Sequence, residues 1–308
     1  MAKIVVTGIN GFVGFHLAQL LSSKGYDVIG IGIEAKMNAN LTPFVSEYYV
    51  VDLVQNYPEL PDVDGLIHLA GFSAVGPSYD NPQRYINGNT AMVTNIGEYY
   101  AKQAKKPRIV MISSGAIYDG EQPMPISETS EIGFGSPYAV SKVAVENQAR
   151  YYNKRGLNIV VARPFNHIGP GQGKGFLLPD LYGRISELAA HEHEISVGNL
   201  ATARDYTDVR DIVKAYVMLL EKPDMQHLVY NISSNISIKG TQILQTVLDA
   251  LGRQDVQYQI DPTLVRPTDI LQIQGSHQRL TGETGWEPSY DLATTINDFI
   301  TYARQEVK

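Results

Sequence analysis

A glycine-rich turn between a strand pattern and a helix pattern restricts the fold of this chain more than any other feature. Residues 4–7 (Ile-Val-Val-Thr) have the apolar, β-branched composition of a short buried strand. Gly8, Gly11 and Gly14 follow, and a helical pattern of apolar residues then runs to Gly25, which is placed to end it. Residues 26–33 form a second strand pattern. This order of strand, glycine turn, helix and strand is typical of the opening unit of a parallel α/β sheet.

The three glycines have two alternative roles in such a unit. Glycine lets the backbone turn tightly and approach a pyrophosphate, which then lies over the free N–H groups of the helix N-terminus. The alternative is that the glycines only let the helix pack closely on the strand. The spacing is G-x-x-G-x-x-G instead of G-x-G-x-x-G. The position of the turn, between a strand and a helix, favours dinucleotide binding.

Strand and helix patterns continue to alternate through the first half of the chain. Strand patterns cover residues 48–53, 66–71, 108–114 and 158–162, and long helical patterns cover residues 82–106 and 137–155. This alternation predicts an α/β fold with a doubly wound parallel sheet, in which ligands bind outside the carboxyl ends of the strands. Gly8, Glu34, Asp52, Gly71 and Ser114 lie at the ends of predicted strands, so we expect them to converge at that edge.

Two acidic residues at predicted strand ends bear on the choice of cofactor. Glu34 lies 20 positions after Gly14 (34 − 14 = 20), where an acid accepts hydrogen bonds from the adenosine ribose and repels a 2′-phosphate. Residues 32–35 contain no arginine that would bind such a phosphate. We therefore predict NAD, with NADP as an open alternative, because Gly32 or Ile33 is also placed for the strand tip. Asp52 is either an adenine contact or a turn-capping residue.

Residues 136–142 (Ser-Pro-Tyr-Ala-Val-Ser-Lys) combine a helix start with two chemically active side chains. Ser136 is a good N-cap and Pro137 suits the first helical position, so Tyr138 and Lys142 lie one turn apart on one helix face. A nearby ammonium favours the phenolate and lowers the pKa of the phenol, which suits proton exchange at an alcohol carbon. Alone, the pair is more typical of a solvated helix surface. Its place in the chain after Ser114 favours a catalytic role.

The regular alternation weakens after Arg163. Residues 164–173 contain too many glycines and prolines for a regular element, and we interpret them as a crossover into a second lobe. Helix patterns over residues 212–221, 241–251 and 292–305 and a strand pattern over residues 228–232 follow without a linker. We predict a dinucleotide-binding domain over residues 1–164, to which residues 204–232 return. A smaller, interleaved substrate-binding lobe is predicted over residues 165–308.

The composition argues against several other classes of function. The net charge of −7 argues against a nucleic-acid or anionic-membrane partner. The absence of cysteine excludes disulfides, thiolate nucleophiles and cysteine zinc sites, and the seven histidines lack metal-binding spacing. The chain opens with a strand pattern, without a signal-peptide pattern or a membrane-spanning run. We expect a cytoplasmic protein that binds no metal.

Four motifs together resemble the extended short-chain dehydrogenase/reductases. They are Thr7-Gly8-x-x-Gly11-Phe12-x-Gly14, Ser113-Ser114-x-x-x-Tyr118, Tyr138-x-x-x-Lys142 and Arg163-Pro164-Phe165-Asn166. They occur in the order in which that family carries them, and the resemblance covers essentially the whole length. It implies action on nucleotide-activated sugars. Within the family, residues 163–172, 204–211, 266–269 and 284–288 look most like those of GDP-4-keto-6-deoxy-D-mannose reductases.

The resemblance also implies roles for individual residues. Tyr138 would give or take the proton at the sugar oxygen, Lys142 would hold the nicotinamide ribose, and Ser114 would hydrogen-bond the reacting oxygen. The implied cofactor-binding residues are Gly8, Asn10, Gly11, Phe12, Val13, Gly14, Glu34, Asp52, Leu53, Leu69, Ala70, Gly71, Asn89, Ser113, Tyr138, Lys142 and Arg163. The implied substrate-binding residues are Ser114, Asn166, Val197, Arg204, Arg266 and Asp269. Guanidinium forks suit a diphosphate, although Arg204 and Arg266 have a surface or interdomain salt bridge as the alternative.

One departure from the family pattern bears on the reaction. Sugar 4,6-dehydratases of this family carry an Asp-Glu pair directly after the Ser/Thr, where this chain has Gly115 and Ala116. Neither residue can remove a proton, so we do not expect dehydration. We predict an NAD(P)-dependent oxidoreductase that reduces the C4 ketone of a nucleotide-linked 4-keto-6-deoxyhexose.

Two alternatives to this reductase stay open. One is a nucleotide-sugar 4-epimerase with tightly bound NAD, and the other is a nonenzymatic dinucleotide-binding sensor on the same fold. Since relatives usually dimerise through their long helices, the resemblance also implies a homodimer.

Overall fold

A parallel sheet lies at the centre of the computed structural model, which describes residues 1–189, 191–265 and 270–306. The strands are β1 (Lys3–Thr7), β2 (Asp27–Gly32), β3 (Glu47–Val50), β4 (Gly65–His68), β5 (Arg108–Ile112), β6 (Asn158–Pro164), β7 (Asn166–Ile168), β8 (Glu194–Val197), β9 (Ala203–Asp208), β10 (Val229–Ile232), β11 (Ser237–Lys239) and β12 (Gln257–Ile260). The helices are α1 (Phe12–Ser23), α2 (Val75–Asp80), α3 (Pro82–Lys102), α4 (Pro137–Lys154), α5 (Leu177–Glu187), α6 (Val209–Glu221), α7 (Gly240–Leu251), α8 (Gln278–Thr284) and α9 (Leu292–Glu306).

Seven of the described strands form the central sheet in the order β10, β6, β5, β4, β1, β2, β3. Every pairing in this sheet is parallel. The prediction of a doubly wound parallel α/β sheet is therefore confirmed. Because parallel strands end on the same side, the residues that follow β1, β2, β4, β5 and β6 meet at one edge.

Alternating side chains of the strands bury the two faces of the sheet against different helices. Ile4 and Val6 of β1 pack in a core cluster with α1 and α6, whereas Val5 packs in a second cluster with α3 and α4. α3 and α4 contact each other closely at Gly97, where the ring of Tyr152 lies in the space that a Cβ would need. The helices thus cover both faces of the sheet. Successive side chains of a strand point to opposite faces, and in a parallel sheet both faces are buried.

A third core cluster lies in the C-terminal part of the chain. It is formed by apolar residues of α5, α7 and α9, together with β8. Two small sheets accompany it, one of β11, β9 and β7 and the other of β12 and β8. β10 returns to the central sheet beside β6, with Val229 opposite Val161. The chain therefore passes from the central sheet to the small sheets and back.

Several element ends differ from the sequence-based prediction. The predicted strand over residues 48–53 is β3, which ends at Val50, so Asp52 lies in the turn that follows. The predicted helix over residues 82–106 ends at Lys102. Residues 164–173 were expected to hold no regular element, but Asn166–Ile168 form β7, because β9 supplies its hydrogen-bonding partner from a distant part of the chain. No helix of the described residues is long and apolar enough to span a membrane.

Candidate active site

The glycine turn after β1 leaves the backbone open at the carboxyl edge of the sheet. Gly8 has a φ of +68°, and a Cβ on it would lie 2.8 Å from the backbone nitrogen of Ala70. A Cβ on Gly14 would lie 2.8 Å from the carbonyl oxygen of Gly8. α1 begins at Phe12 after Gly11, which has no side chain to cap the first N–H groups. This cradle of bare backbone and helix N-terminus fits the pyrophosphate of a dinucleotide.

Glu34 lies two residues beyond the tip of β2 and is held by neighbouring side chains. The Asn10 amide donates to the Glu34 carboxylate (3.0 Å) and to the Tyr48 hydroxyl (3.2 Å). The Tyr48 hydroxyl in turn donates to the Glu34 carbonyl (2.8 Å). A Cβ on Gly32 would lie 2.9 Å from the Glu34 carboxylate. Glu34 therefore covers the strand tip, where the adenosine ribose of a bound dinucleotide is expected.

The other residues predicted to lie near the adenine are in a turn, in the core and at the strand edge. One carboxylate oxygen of Asp52 accepts from the backbone N–H of Val54 (3.0 Å), which is the turn-capping role given above as an alternative. The side chain of Leu53 lies in the core against α3. Leu69 and Ala70 follow β4 and are half-buried, so their backbone is available at the strand edge.

Ser114, Tyr138 and Lys142 come together at the carboxyl end of β5. Ser136 caps α4, because its hydroxyl accepts from the N–H of Ala139 (3.1 Å), and Pro137 is the first helical residue. The hydroxyl of Ser114 accepts from the N–H of Ala116 (3.1 Å) and lies close enough to the phenol of Tyr138 to lower the pKa of that phenol. The three predicted catalytic side chains are thus brought together from two elements.

Lys142 is buried beneath this pair. Its ammonium donates to the carbonyl of Ile112, the last residue of β5, at 2.9 Å, and lies 5.8 Å from the centre of the Tyr138 ring. A Cβ on Gly71 would lie 3.7 Å from the same ammonium and 3.2 Å from the Asn89 side-chain oxygen. The ammonium therefore lies between the ends of β4 and β5.

Asn89 connects α3 to the catalytic helix. Its side-chain oxygen accepts from the N–H of Phe72 (2.8 Å), and its amide donates to the hydroxyl of Ser141 (2.9 Å). The Ser141 hydroxyl donates to the carbonyl of Tyr138 (2.7 Å). Asn89 thereby fixes the loop after β4 against the first turn of α4, which carries Tyr138.

Burial controls the protonation of Tyr138 and Lys142. It raises the pKa of the Tyr138 phenol, and the hydrogen bond from Ser114 opposes this only in part. The net direction is the reverse of the one expected from the ammonium alone. Burial also lowers the pKa of Lys142 to about 8, against the attraction of Glu146. The phenol is therefore protonated at neutral pH, which suits a proton donor.

A buried ion pair that the sequence analysis did not identify lies behind these residues. Glu146 and Arg163 each have about 3% of their surface exposed, and two hydrogen bonds of 2.7 and 2.6 Å join them. The hydroxyl of Ser113 donates to the same carboxylate (2.6 Å). The guanidinium of Arg163 is therefore bound to Glu146. The i, i+4 spacing of Lys142 and Glu146 is the sequence signal that was available.

Phe165, to which the sequence motif gave no role, packs directly behind the Ser114 loop. A Cβ on Gly115 would lie 3.0 Å from its ring carbons, and a Cβ on Gly275 would lie 2.7 Å from them. The ring of Tyr118 stacks on it with centroids 6.1 Å apart. The Phe165 ring therefore leaves no room for a side chain at Gly115. This packing constraint is separate from the absence of an acidic group there.

The predicted substrate residues other than Ser114 lie in four different settings. Asn166, exposed, begins β7 directly beyond the end of β6, and therefore lies at the same edge as Ser114. Arg204 of β9 is half-buried and donates to the carbonyls of Ala203 (2.9 Å) and Ile270 (2.7 Å). The side chain of Val197 is buried in the third core cluster. Arg266 and Asp269 lie outside the described residues.

Comparisons with known proteins agree with this architecture. A family model described as GDP-mannose 4,6 dehydratase matches residues 5–299. GDP-6-deoxy-D-mannose reductase of Pseudomonas aeruginosa is 30% identical over 99% of this chain and 99% of its own length.

Two solved structures superpose over nearly the whole chain. RMD from Pseudomonas aeruginosa complexed with NADPH is 28% identical, with a TM-score of 0.82, and covers 99% of this chain and 100% of that chain. UDP-glucose 4-epimerase of Thermotoga maritima with UDP-glucose is 24% identical, with a TM-score of 0.87, and shows the same fold over 99% of this chain and 100% of that chain. The chain therefore belongs to the GDP-mannose 4,6-dehydratase family, within the extended short-chain dehydrogenase/reductases.

Proposed function

We propose that this protein is an NAD(P)-dependent reductase of the C4 ketone of a nucleotide-linked 4-keto-6-deoxyhexose. The observation that carries the proposal is the assembly of Ser114, Tyr138 and Lys142 beside Gly115 and Ala116, which provide no acid or base. Such a site can transfer a proton to an oxygen but has no group there for removing water from the sugar. The 30% identity to the GDP-6-deoxy-D-mannose reductase of Pseudomonas aeruginosa supports the same reaction.

Each residue of the site has a defined task in this reaction. Ser114 holds the C4 oxygen, and the protonated phenol of Tyr138 donates its proton to that oxygen as the ketone becomes a secondary alcohol. A reduced nicotinamide bound at the strand edge would supply the hydride to C4. The ammonium of Lys142, between the ends of β4 and β5, binds the nicotinamide ribose. Asn166, Arg204 and Arg266 are proposed to bind the nucleotide diphosphate, and Asp269 another part of the substrate.

The cofactor is proposed to be NAD(P), with NAD preferred. Glu34 covers the tip of β2, and its negative charge repels a 2′-phosphate. The RMD structure of Pseudomonas aeruginosa was solved with NADPH, so NADP is the alternative cofactor, and experiments should compare NADPH with NADH.

A panel of 4-keto and parent sugar nucleotides, each assayed with NADH and NADPH, tests the proposal. We expect stoichiometric loss of the absorbance of the reduced nicotinamide only with a 4-keto-6-deoxy sugar nucleotide. No oxidation of either cofactor with any 4-keto sugar nucleotide would overturn it.

The alternatives have distinct signatures in the same panel. A 4-epimerase would retain NAD through purification and would turn over parent sugar nucleotides without added cofactor. A nonenzymatic sensor would bind the dinucleotide and convert none of the sugars. The assembled Ser114, Tyr138 and Lys142 favour an enzyme over the sensor, because binding alone needs no proton donor.

The organisation of the protein is part of the proposal. We assign dinucleotide binding to residues 1–164 with residues 204–232, and substrate binding mainly to residues 165–308. A homodimer is proposed through the outer face of α3 and α4, where Tyr151 is 53% exposed. A cytoplasmic location is proposed with it, since the reaction draws on reduced nicotinamide. Light scattering at several protein concentrations tests the dimer.

A further inference from the structure

The Glu146–Arg163 pair joins three elements of the active site where they meet. Glu146 lies one turn beyond Lys142 on α4, Arg163 lies in β6, and Ser113 directly follows β5. The carboxylate binds both the guanidinium (2.7 and 2.6 Å) and the Ser113 hydroxyl (2.6 Å). Since Ser114 is the next residue along the chain, the pair holds the backbone that carries it.

The same carboxylate acts electrostatically on the catalytic lysine. Lys142 and Glu146 are four residues apart on one helix, and both are buried. Burial lowers the pKa of Lys142 to about 8, and the attraction of Glu146 opposes that fall. Arg163 of β6 is bound to the same carboxylate (2.6 Å). The carboxylate that acts on Lys142 is therefore shared with a second cation.

The other titratable groups around Lys142 contribute little opposing charge. His68, at the end of β4, is neutral, because burial and the charge of Lys142 lower its pKa to about 3. Burial raises the pKa of the Tyr138 phenol, with Tyr85 of α3 adding to the rise. Burial likewise raises the pKa of Tyr216 of α6, which faces Tyr138. The phenols of Tyr138 and Tyr216 are therefore neutral at physiological pH, so Glu146 supplies the negative charge.

Arg163 is itself bound within a buried polar network. Its guanidinium donates to the hydroxyl of Tyr118 (2.6 Å), which donates to the side-chain oxygen of Asn231 in β10 (2.7 Å). A buried ion pair is weak evidence for stability, because desolvation of two charges offsets their attraction and apolar residues pack as well. The position of this pair behind Ser114 and Lys142 indicates a role in the site.

We propose that the Glu146–Arg163 ion pair is a positioning element of the active site. It orients Ser114 through Ser113. The negative charge of Glu146 stabilises the Lys142 ammonium, and the positive charge of Arg163 limits that effect. This inference rests on the assignment of Tyr138 and Lys142 as the catalytic pair. It does not depend on which sugar is reduced. Its test therefore uses cofactor binding, in addition to turnover.

Three variants separate charge from packing. Glu146→Gln removes the attraction and leaves the positive guanidinium, so the pKa of Lys142 falls. Arg163→Met removes a competing cation, so the attraction of Glu146 acts on Lys142 alone and the pKa rises. The double variant removes both charges, so the pKa is expected to return close to that of the unmodified protein. The single variants therefore move one quantity in opposite directions.

The measured quantity is the pH at which NADH binding is half lost on the alkaline side, followed by nicotinamide fluorescence. In the unmodified protein we expect it near the Lys142 pKa of about 8. Glu146→Gln is expected to lower it and Arg163→Met to raise it, each by about one pH unit, at the low end of the shift that a neighbouring charge produces. Ser113→Ala keeps both charges, so it should leave this midpoint unchanged while lowering kcat at constant KM for the cofactor.

The outcomes decide the inference even if one variant is poorly folded. Circular dichroism identifies a variant that does not fold. If Arg163→Met does not fold, Arg163→Lys takes its place. Because this variant retains the positive charge, its midpoint is expected close to that of the unmodified protein. Midpoints that move in the same direction for both single variants, or Glu146→Gln with an unmoved midpoint, would overturn the proposal. If the midpoints of NADH binding shift in the variants as expected but the unmodified protein reduces no 4-keto sugar, only the proposed substrate is contradicted.

Discussion

The ammonium of Lys142 lies 5.8 Å from the centre of the Tyr138 ring, and its hydrogen bond goes to the carbonyl of Ile112 at 2.9 Å. The lysine is therefore held by the end of β5, while burial keeps the phenol of Tyr138 protonated. Because an ammonium has three N–H donors, Lys142 can also bind a second ligand.

Removing the phenol hydroxyl should separate chemistry from binding. Tyr138→Phe is expected to lower kcat by about 10²–10⁴-fold, the usual contribution of a positioned proton donor. The affinity for NADH should stay within about twofold, because the ammonium of Lys142 is unchanged. Steady-state kinetics and fluorescence titration measure the two quantities. Tyr258→Phe, at an exposed tyrosine of β12, is the control; an unaltered kcat in Tyr138→Phe would contradict the mechanism.

Replacing the buried ammonium should stabilise the fold while destroying activity. The pKa of Lys142 is lowered from 10.5 to about 8, so the folded protein binds this proton less tightly than the unfolded chain. The cost of the charge is full below pH 8 and disappears as the pH rises to about 10.5. Lys142→Met is therefore expected to raise the free energy of unfolding by about 2 kcal/mol at pH 7, allowing for the lost hydrogen bond.

Urea denaturation at pH 7 and pH 10 measures this effect. The gain in stability should shrink at the higher pH, and NADH affinity should fall by at least about tenfold. Lys154→Met, at the exposed end of the same helix, should change neither quantity. A Lys142→Met protein less stable than the original at pH 7 would show that the hydrogen bond to Ile112 outweighs the buried charge.

Glu34 should control the choice between NADH and NADPH. Its carboxylate covers the tip of β2 and is oriented by Asn10 (3.0 Å). Glu34→Gln keeps the shape and removes the charge, so the ratio of NADPH to NADH affinity should rise by about tenfold. Glu47→Gln, an exposed acid on the adjacent strand β3, should leave the ratio unchanged. An equal ratio in the two variants would place the ribose elsewhere.

A methyl group at residue 115 should disturb the packing behind the catalytic serine. A Cβ on Gly115 would lie 3.0 Å from the Phe165 ring, which is closer than a carbon contact allows without movement. Gly115→Ala is expected to lower the free energy of unfolding by about 1–3 kcal/mol. Ala116→Ser, at the exposed next position, should change it by less than about 0.5 kcal/mol. Combination with Phe165→Leu should recover part of the loss in Gly115→Ala.

Local sequence patterns were sufficient for the central sheet and for the edge where the site lies. β1, α1 and β2 follow from apolar runs separated by Gly8 and Gly25, because glycine at a positive φ ends one element before the next begins. α4 follows from Ser136 and Pro137, whose cap and first-turn preferences are local properties. The same patterns placed Tyr138, Lys142 and Ser114 at the ends of elements that parallel pairing brings together.

Contacts between distant segments were beyond such patterns. The short strand β7 exists because β9 pairs with it, and Asp52 lies in a turn because β3 ends at Val50. The bond between Arg163 and Glu146, the ring of Phe165 behind Gly115 and the rise in the Tyr138 pKa all depend on which side chains bury one another.

The sequence by itself determined the parallel α/β fold and the three residue types that can carry proton transfer, because both arise from spacing along one chain. Only the tertiary structure decided the charge and position of those residues. Burial of Tyr138 keeps its phenol protonated, and the Glu146 carboxylate lies beside both Lys142 and Arg163. Burial and charge balance depend on packing in three dimensions, which no local pattern records.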